Sequence, residues 1–162
     1  MGLFLRRVRR LGDDRFKVEL PEAEQDLLVQ LFPQLRELLA SDDPSLTRLF
    51  PTAYPDDPER DAGYHALVRD ELLEKRFSSL DLVQSTLAAL NTGPVELDGD
   101  ELSAWMRAVN DLRLVLGTRL DVGEDEHHLD LDPDDPDTMA LHIYDYLGML
   151  VATIVDALAG DL

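Results

Sequence analysis

Asp135-Pro-Asp-Thr-Met-Ala-Leu-His-Ile-Tyr-Asp-Tyr-Leu-Gly-Met-Leu-Val-Ala-Thr-Ile-Val-Asp-Ala-Leu-Ala-Gly160 is the stretch that decides the fold. Acids flank a proline at its start and a glycine closes it, which are the start and stop signals of a helix. Ile143, Leu147, Leu150, Ile154 and Leu158 form one row, and Tyr144, Val151 and Val155 lie alongside. A helix apolar nearly all round is expected at the centre of a bundle, so this one should be the most buried. Gly148 and Ala152, four apart, leave room for a second helix to approach.

Working outward, Asp98-Gly-Asp-Glu101 opens a helix over 99–120, with Leu102, Met106, Val109, Leu116 and Leu120 as its stripe. Asp57-Pro-Glu59 opens another over 58–77. Ser78-Ser-Leu-Asp81 resembles a fresh cap, so a break is expected before a helix over 79–91, which Gly93 and Pro94 end. Pro21 opens a helix to about Ala40 through Leu27, Leu28, Leu31, Leu35, Leu38 and Leu39, with Pro33 inside it. Ahead of these, Leu3–Arg10 and Arg15–Leu20 read as two strands around Gly12-Asp-Asp14, with Phe16, Val18 and Leu20 on one face. Val95–Leu97 and His127–Leu131 are two further alternating pieces, suited to pairing with each other. The fold class is therefore mainly α: a bundle of four to five helices with a small N-terminal β-hairpin. One domain over 1–162 is expected, with the hairpin in 1–20 and the bundle in 21–162.

Forty-four per cent hydrophobic residues suffice for a core without staples, and the chain has no cysteine. That excludes disulfides, thiolate metal sites and cysteine nucleophiles, and it suits a reducing cytoplasm. The apolar run at the amino end, Leu3–Leu5, is too short for a secretory signal, and Arg6 stands where myristoylation wants Ser or Thr. Tyr146–Ala159 is too short for a membrane span and carries Asp156. The net charge is −19, yet the first ten residues carry four arginines and no acid, which leaves −23 for the rest. A body of that sign repels a phosphate backbone, so nucleic acid is a disfavoured partner. The four arginines are expected to dock on acids of the same chain.

Asp121–Asp137 holds nine acids and two histidines. Asp130, Asp132 and Asp134 are spaced like the start of a calcium loop, and His127 and His128 lie close by. The match ends there: Asp135 stands where the turn needs glycine, and Leu141 where a bidentate Glu belongs. Adjacent histidines in a strand point to opposite faces. The plainer reading, a solvated acidic loop without metal, is preferred, and no cofactor is expected. His142 and Asp145 supply only a fragment of a carboxylate-bridged bundle site. No nucleophile elbow, zinc-protease or phosphate-loop pattern is present, so catalysis is not expected. On the 99–120 helix, Asn110, Asp111, Arg113 and Arg119 mix with apolar neighbours, and Arg48 precedes Leu-Phe-Pro51. These five residues form either a packed polar network, the preferred reading, or an interaction surface.

Arg48-Leu-Phe-Pro-Thr-Ala-Tyr-Pro-Asp-Asp-Pro-Glu59, with Trp105–Asp121 and its Asn-Asp-Leu-Arg-Leu-Val-Leu-Gly-Thr-Arg-Leu, resembles an actinobacterial domain-of-unknown-function family, number two thousand and seventeen. Two lysines against thirteen arginines suit a GC-rich genome. The resemblance implies a small helical cytosolic protein without established activity or site residues. Its members are often encoded near the protease adaptor ClpS, and some carry a transcriptional-regulator label. The expected function is a non-catalytic interaction or regulatory protein, linked to regulated proteolysis and binding another protein. A divalent-metal protein using the acidic loop and a nucleic-acid-binding regulator using the arginines are the rivals. Oligomeric state is not encoded in any pattern here.

Overall fold

The computed structural model describes residues 7–50, 52–120, 134 and 137–160. Strands β1 (Val8–Gly12) and β2 (Arg15–Val18) form the hairpin, with Val8 opposite Val18 and Arg10 opposite Phe16. Its first strand starts five residues later than Leu3; residues 1–6, Arg6 included, lie outside the described residues. Asp14 takes a positive φ of 55° in the turn, a conformation that Asp tolerates better than most side chains. A third strand, β3 (Val95–Leu97), pairs antiparallel with β2, setting Leu97 opposite Phe16 and Val95 opposite Val18. β2 offers β3 its open edge, and its buried Phe16 and Val18 match the alternation of β3; the other edge of β3 is the one left for the expected pairing with 127–131. Residues 127–131 lie outside the described residues.

Helix α1 (Glu22–Leu39) buries Leu28, Phe32, Leu35 and Leu39. Pro33 is exposed, so the carbonyl it leaves without a donor faces water and the helix runs through. After a short 3-10 turn (Pro44–Leu46), α2 runs unbroken from Pro58 to Leu90. The expected break at Ser78–Asp81 is absent because its polar groups are used elsewhere. The buried Ser79 hydroxyl accepts from Arg107 Nε at 3.2 Å, and Asp81 pairs with Arg36 of α1. From Pro58 to Ser78 no side chain of α2 is buried; every buried one lies between Ser79 and Leu90.

Helix α3 (Gly99–Arg119) opens with a full capping box, Asp98 accepting from Glu101 N at 2.8 Å and Glu101 from Asp98 N at 3.0 Å. The Asp14 carboxylate accepts from Gly99 N at 2.7 Å, and a Cβ at Gly99 would sit 2.6 Å from that oxygen. Only glycine lets the hairpin turn lock onto the start of α3. Helix α4 (Asp137–Ala159) completes the four-helix body. It is not the most buried element: α3 buries nine side chains or glycines and α4 six. Helix α3 meets α1, α2, α4 and the sheet, whereas α4 packs mainly on α3 and β1, with Tyr146 reaching Glu24 of α1. Gly148 receives the aliphatic part of Arg113, while Ala152 is exposed. The helix runs 23 residues, longer than its apolar run read alone, and is long and apolar enough to cross a bilayer. Its Tyr144, Leu147, Leu150 and Ile154 row nevertheless packs inside the bundle. At the core's centre Trp105 meets Phe32 edge-to-face, ring centroids 6.2 Å apart.

Candidate functional site

The polar groups converge where the 44–50 segment crosses α3. Asp43 caps the 3-10 turn by accepting from Ser45 N at 2.8 Å, and the Ser45 contacts hold its carboxyl below the usual range. Leu46 and Leu49 enter the core behind it, which brings Arg48 and the Leu49 carbonyl to the α3 surface. Arg76 of α2 reaches into the same place. Its Nη1 donates to both Asp111 carboxylate oxygens at 3.0 and 3.1 Å, and its Nη2 to Leu49 O at 2.9 Å. Phe50 lies between two guanidiniums, Arg69 4.9 Å and Arg76 5.5 Å from its ring centroid.

Asp111 is the buried charge of this knot, its side chain 7% exposed. Burial pushes its carboxyl up to about 6, against the pull of Arg76 and then Arg107. Gly117, two turns along α3, keeps the floor open. A Cβ there would stand 2.8 Å from Arg48 Nη1 and 2.8 Å from Tyr144 Cε2 of α4. The Tyr144 hydroxyl is buried without a hydrogen-bond partner among the described residues. Arg113 lies 5.9 Å from the Tyr144 ring centroid and donates to Asn110 Oδ1 at 3.1–3.2 Å. At the end of α3, Arg119 lies 3.6 Å from Asp43.

Of the five network residues read from sequence, Asp111 is gripped by Arg76 and Arg48 lies farther along α3, against Gly117. Asn110 and Arg113 turn toward α4, and Arg119 ties the end of α3 to the 3-10 turn. Asp130, Asp132, His127 and His128 lie outside the described residues, and Asp134 is exposed. Among the described residues no three His, Asp or Glu side chains cluster as metal ligands. His142 and Asp145 are both exposed.

Sequence reading missed Arg76, which joins three segments and carries no local signal beyond being one arginine on a long helix. The docking on acids expected of the amino-terminal arginines is seen at Arg7, while Arg10 takes carbonyls instead. Arg7 pairs with Glu24 through two bonds of 2.7 and 2.8 Å. Burial raises the Glu24 carboxyl, but the Arg7 bonds and the neighbouring Tyr146 outweigh it, leaving a net downward shift. Burial and that same carboxylate push the Tyr146 hydroxyl up. Arg10 donates to Ala157 O at 3.2 Å and Leu158 O at 3.1 Å, closing the end of α4.

Two clefts flank the knot. One of about 250 Å³ lies beside the 3-10 turn, lined by Asp43, Thr47, Phe50, His65 and Arg69. A broader groove of about 840 Å³ runs between α2 and α3, lined by Glu71, Glu74, Lys75, Asp98, Asp100 and Arg107. Within the knot Asp111 is held by Arg76, whose other terminal nitrogen is taken by Leu49 O. The knot's chemistry is cohesion between segments.

Known proteins place this architecture. A family model described as Domain of unknown function (DUF2017) matches residues 5–158. The Oxidative stress regulator AosR of Mycobacterium tuberculosis (strain ATCC 25618 / H37Rv) is 32% identical over 133 residues, covering 74% of this chain and 60% of that protein. The Mycobacterium bovis protein of the same name gives the same figures. A Putative oxidative stress regulator AosR of Mycobacterium leprae is 33% identical over 94 residues, 50% of this chain and 43% of that one. This chain thus spans about 60% of the length of the first of these relatives. No solved structure matches. The matched span takes in the hairpin, the knot and all but the last residue of α4, and the chain belongs to the DUF2017 family.

Proposed function

We propose that this chain is a non-catalytic regulatory protein of the cytoplasm that acts in the response to oxidative stress by contact with another protein. The observation that carries the reading is its similarity, across most of its helical body, to curated proteins named oxidative stress regulators. The chemistry of the knot supports it, since Arg76 and Asp111 hold α2, α3 and the 44–50 segment to one another. The arginines give little support to nucleic-acid binding: Arg7 and Arg10 are engaged by Glu24 and by the end of α4. The ClpS neighbourhood names no residue here and adds nothing to the reading.

The test is survival. A strain lacking the gene is expected to lose viability under hydroperoxide challenge and to regain it with the wild-type copy. Unchanged survival of the deletion strain overturns the stress role. Substrate turnover by the purified chain overturns its non-catalytic part.

A further inference from the structure

The chain has no cysteine, so its sulfur lies in four methionines, side chains that hydroperoxides convert to sulfoxides. Met106 of α3 is packed against the core. Met139 and Met149 stand on the outer side of α4, 68% and 38% exposed. Exposure alone would make Met139 the faster to react. Met149 has a polar neighbour at its sulfur, however. The Thr153 hydroxyl, one turn on, donates to Met149 O at 2.9 Å and lies 3.5 Å from Met149 Sδ. The exposed Ala152 and Val155 lie on the same outer side of α4, between Asp145 and Asp156.

We propose that Met149 is a site of oxidation by hydroperoxides, assisted by the Thr153 hydroxyl. The Sδ lone pair attacks one peroxide oxygen; the S–O bond forms as the O–O bond breaks. The Thr153 hydroxyl turns from Met149 O to give its proton to the departing oxygen, and the hydroxyl now on sulfur returns its own proton to Thr153. Sulfur gives up two electrons and gains one oxygen, and hydrogen peroxide leaves as water. The sulfoxide oxygen that results stays within reach of the Thr153 O–H, and a polar, chiral group replaces a soft apolar one on the α4 surface.

This rests on the oxidative-stress reading for its physiological meaning, while the reaction itself rests on the Met149–Thr153 geometry. The experiment exposes the full chain to limiting hydrogen peroxide and follows sulfoxide at Met106, Met139 and Met149 by peptide mass spectrometry. Met149 is expected to react at least as fast as Met139 despite its lower exposure. Thr153→Val should slow Met149 about fivefold, the rate equivalent of one modest hydrogen bond, and leave Met139 unchanged. Thr153→Ser should restore the rate, and circular dichroism of each variant checks that α4 is intact. A Met149 rate below that of Met139 and indifferent to Thr153→Val overturns the proposal. Unchanged survival of the deletion strain would remove the physiological reading and leave these rates as they are, so the two failures are distinct.

Discussion

Asp111→Leu, Arg76→Met and the double variant test the knot as a set. Removing one partner of a buried pair typically costs about 3–5 kcal/mol, because the other charge is left desolvated and alone. Arg76 is 20% exposed and keeps its bond to Leu49 O, so the low end applies to Asp111→Leu, about 3 kcal/mol. In a chain of this size that lowers Tm by about 6–12 °C. The double variant removes both desolvated charges and loses mainly the Leu49 O bond, so it should lie within about 1 kcal/mol of wild type. Thermal melts at pH 7 and urea titrations of all four proteins complete the cycle. Titration adds a signature. Burial raises the folded-state carboxyl of Asp111 to about 6, above its unfolded value, so the folded chain binds this proton more readily. Wild type should therefore gain stability relative to Asp111→Asn as pH falls from about 7 to about 4, with the gap closing again as pH rises. A double variant no more stable than the weaker single one, or a wild-type advantage that shrinks on acidification, would refute the reasoning.

Three further outcomes follow from the same geometry. Gly117→Ala should cost about 1–3 kcal/mol by thermal melt, since the new Cβ meets the Tyr144 ring as well as the more compliant end of Arg48. Asp98→Ala removes half of the capping box and should cost about 1 kcal/mol, read by urea titration, while Asp98→Asn recovers most of it. Reversing Arg7 and Arg10 to Glu together should lower stability by about 1–2 kcal/mol, less at high salt, and leave a gel shift with generic DNA or RNA unchanged at background.

The four-helix body was legible because its signals are local. The Asp98–Glu101 capping box, the Asp57–Pro58 start and the Gly93 stop each act within one turn, and the structure uses all three. Ser78–Asp81 misled for the same reason. A capping sequence is ambiguous when its hydroxyl and carboxylate have distant partners, here Arg107 and Arg36, which no local window contains. The burial of α4 was overestimated because apolarity records what a face tolerates, whereas burial depends on how many neighbours surround it. The site was half legible: Arg48 and Asp111 stood out as polar residues among leucines, but Arg76 ties Asp111, 35 residues away, to the carbonyl of Leu49, 27 residues away. β3 was found but its pairing with β2 was not read, since three alternating residues state a face and not a partner.

The bare first half of α2 has a mechanical consequence. Its attachment from Pro58 to Ser78 runs through charges and rings: Asp61 accepts from Ala53 N and Tyr54 N at 2.7 and 3.0 Å, Arg69 and Arg76 stack on Phe50, and Arg76 grips Asp111. With only the half-buried Leu73 and Phe77 packed against the core beneath it, this half opens at a free energy well below that of the bundle. The chain therefore has two tiers of cooperativity along one continuous helix. Amide exchange should run ahead from Asp61 to about Phe77 and fall sharply from Ser79 onward, and limited trypsin should cut at Arg60, Arg69 or Lys75 before it reaches Arg107 or Arg113.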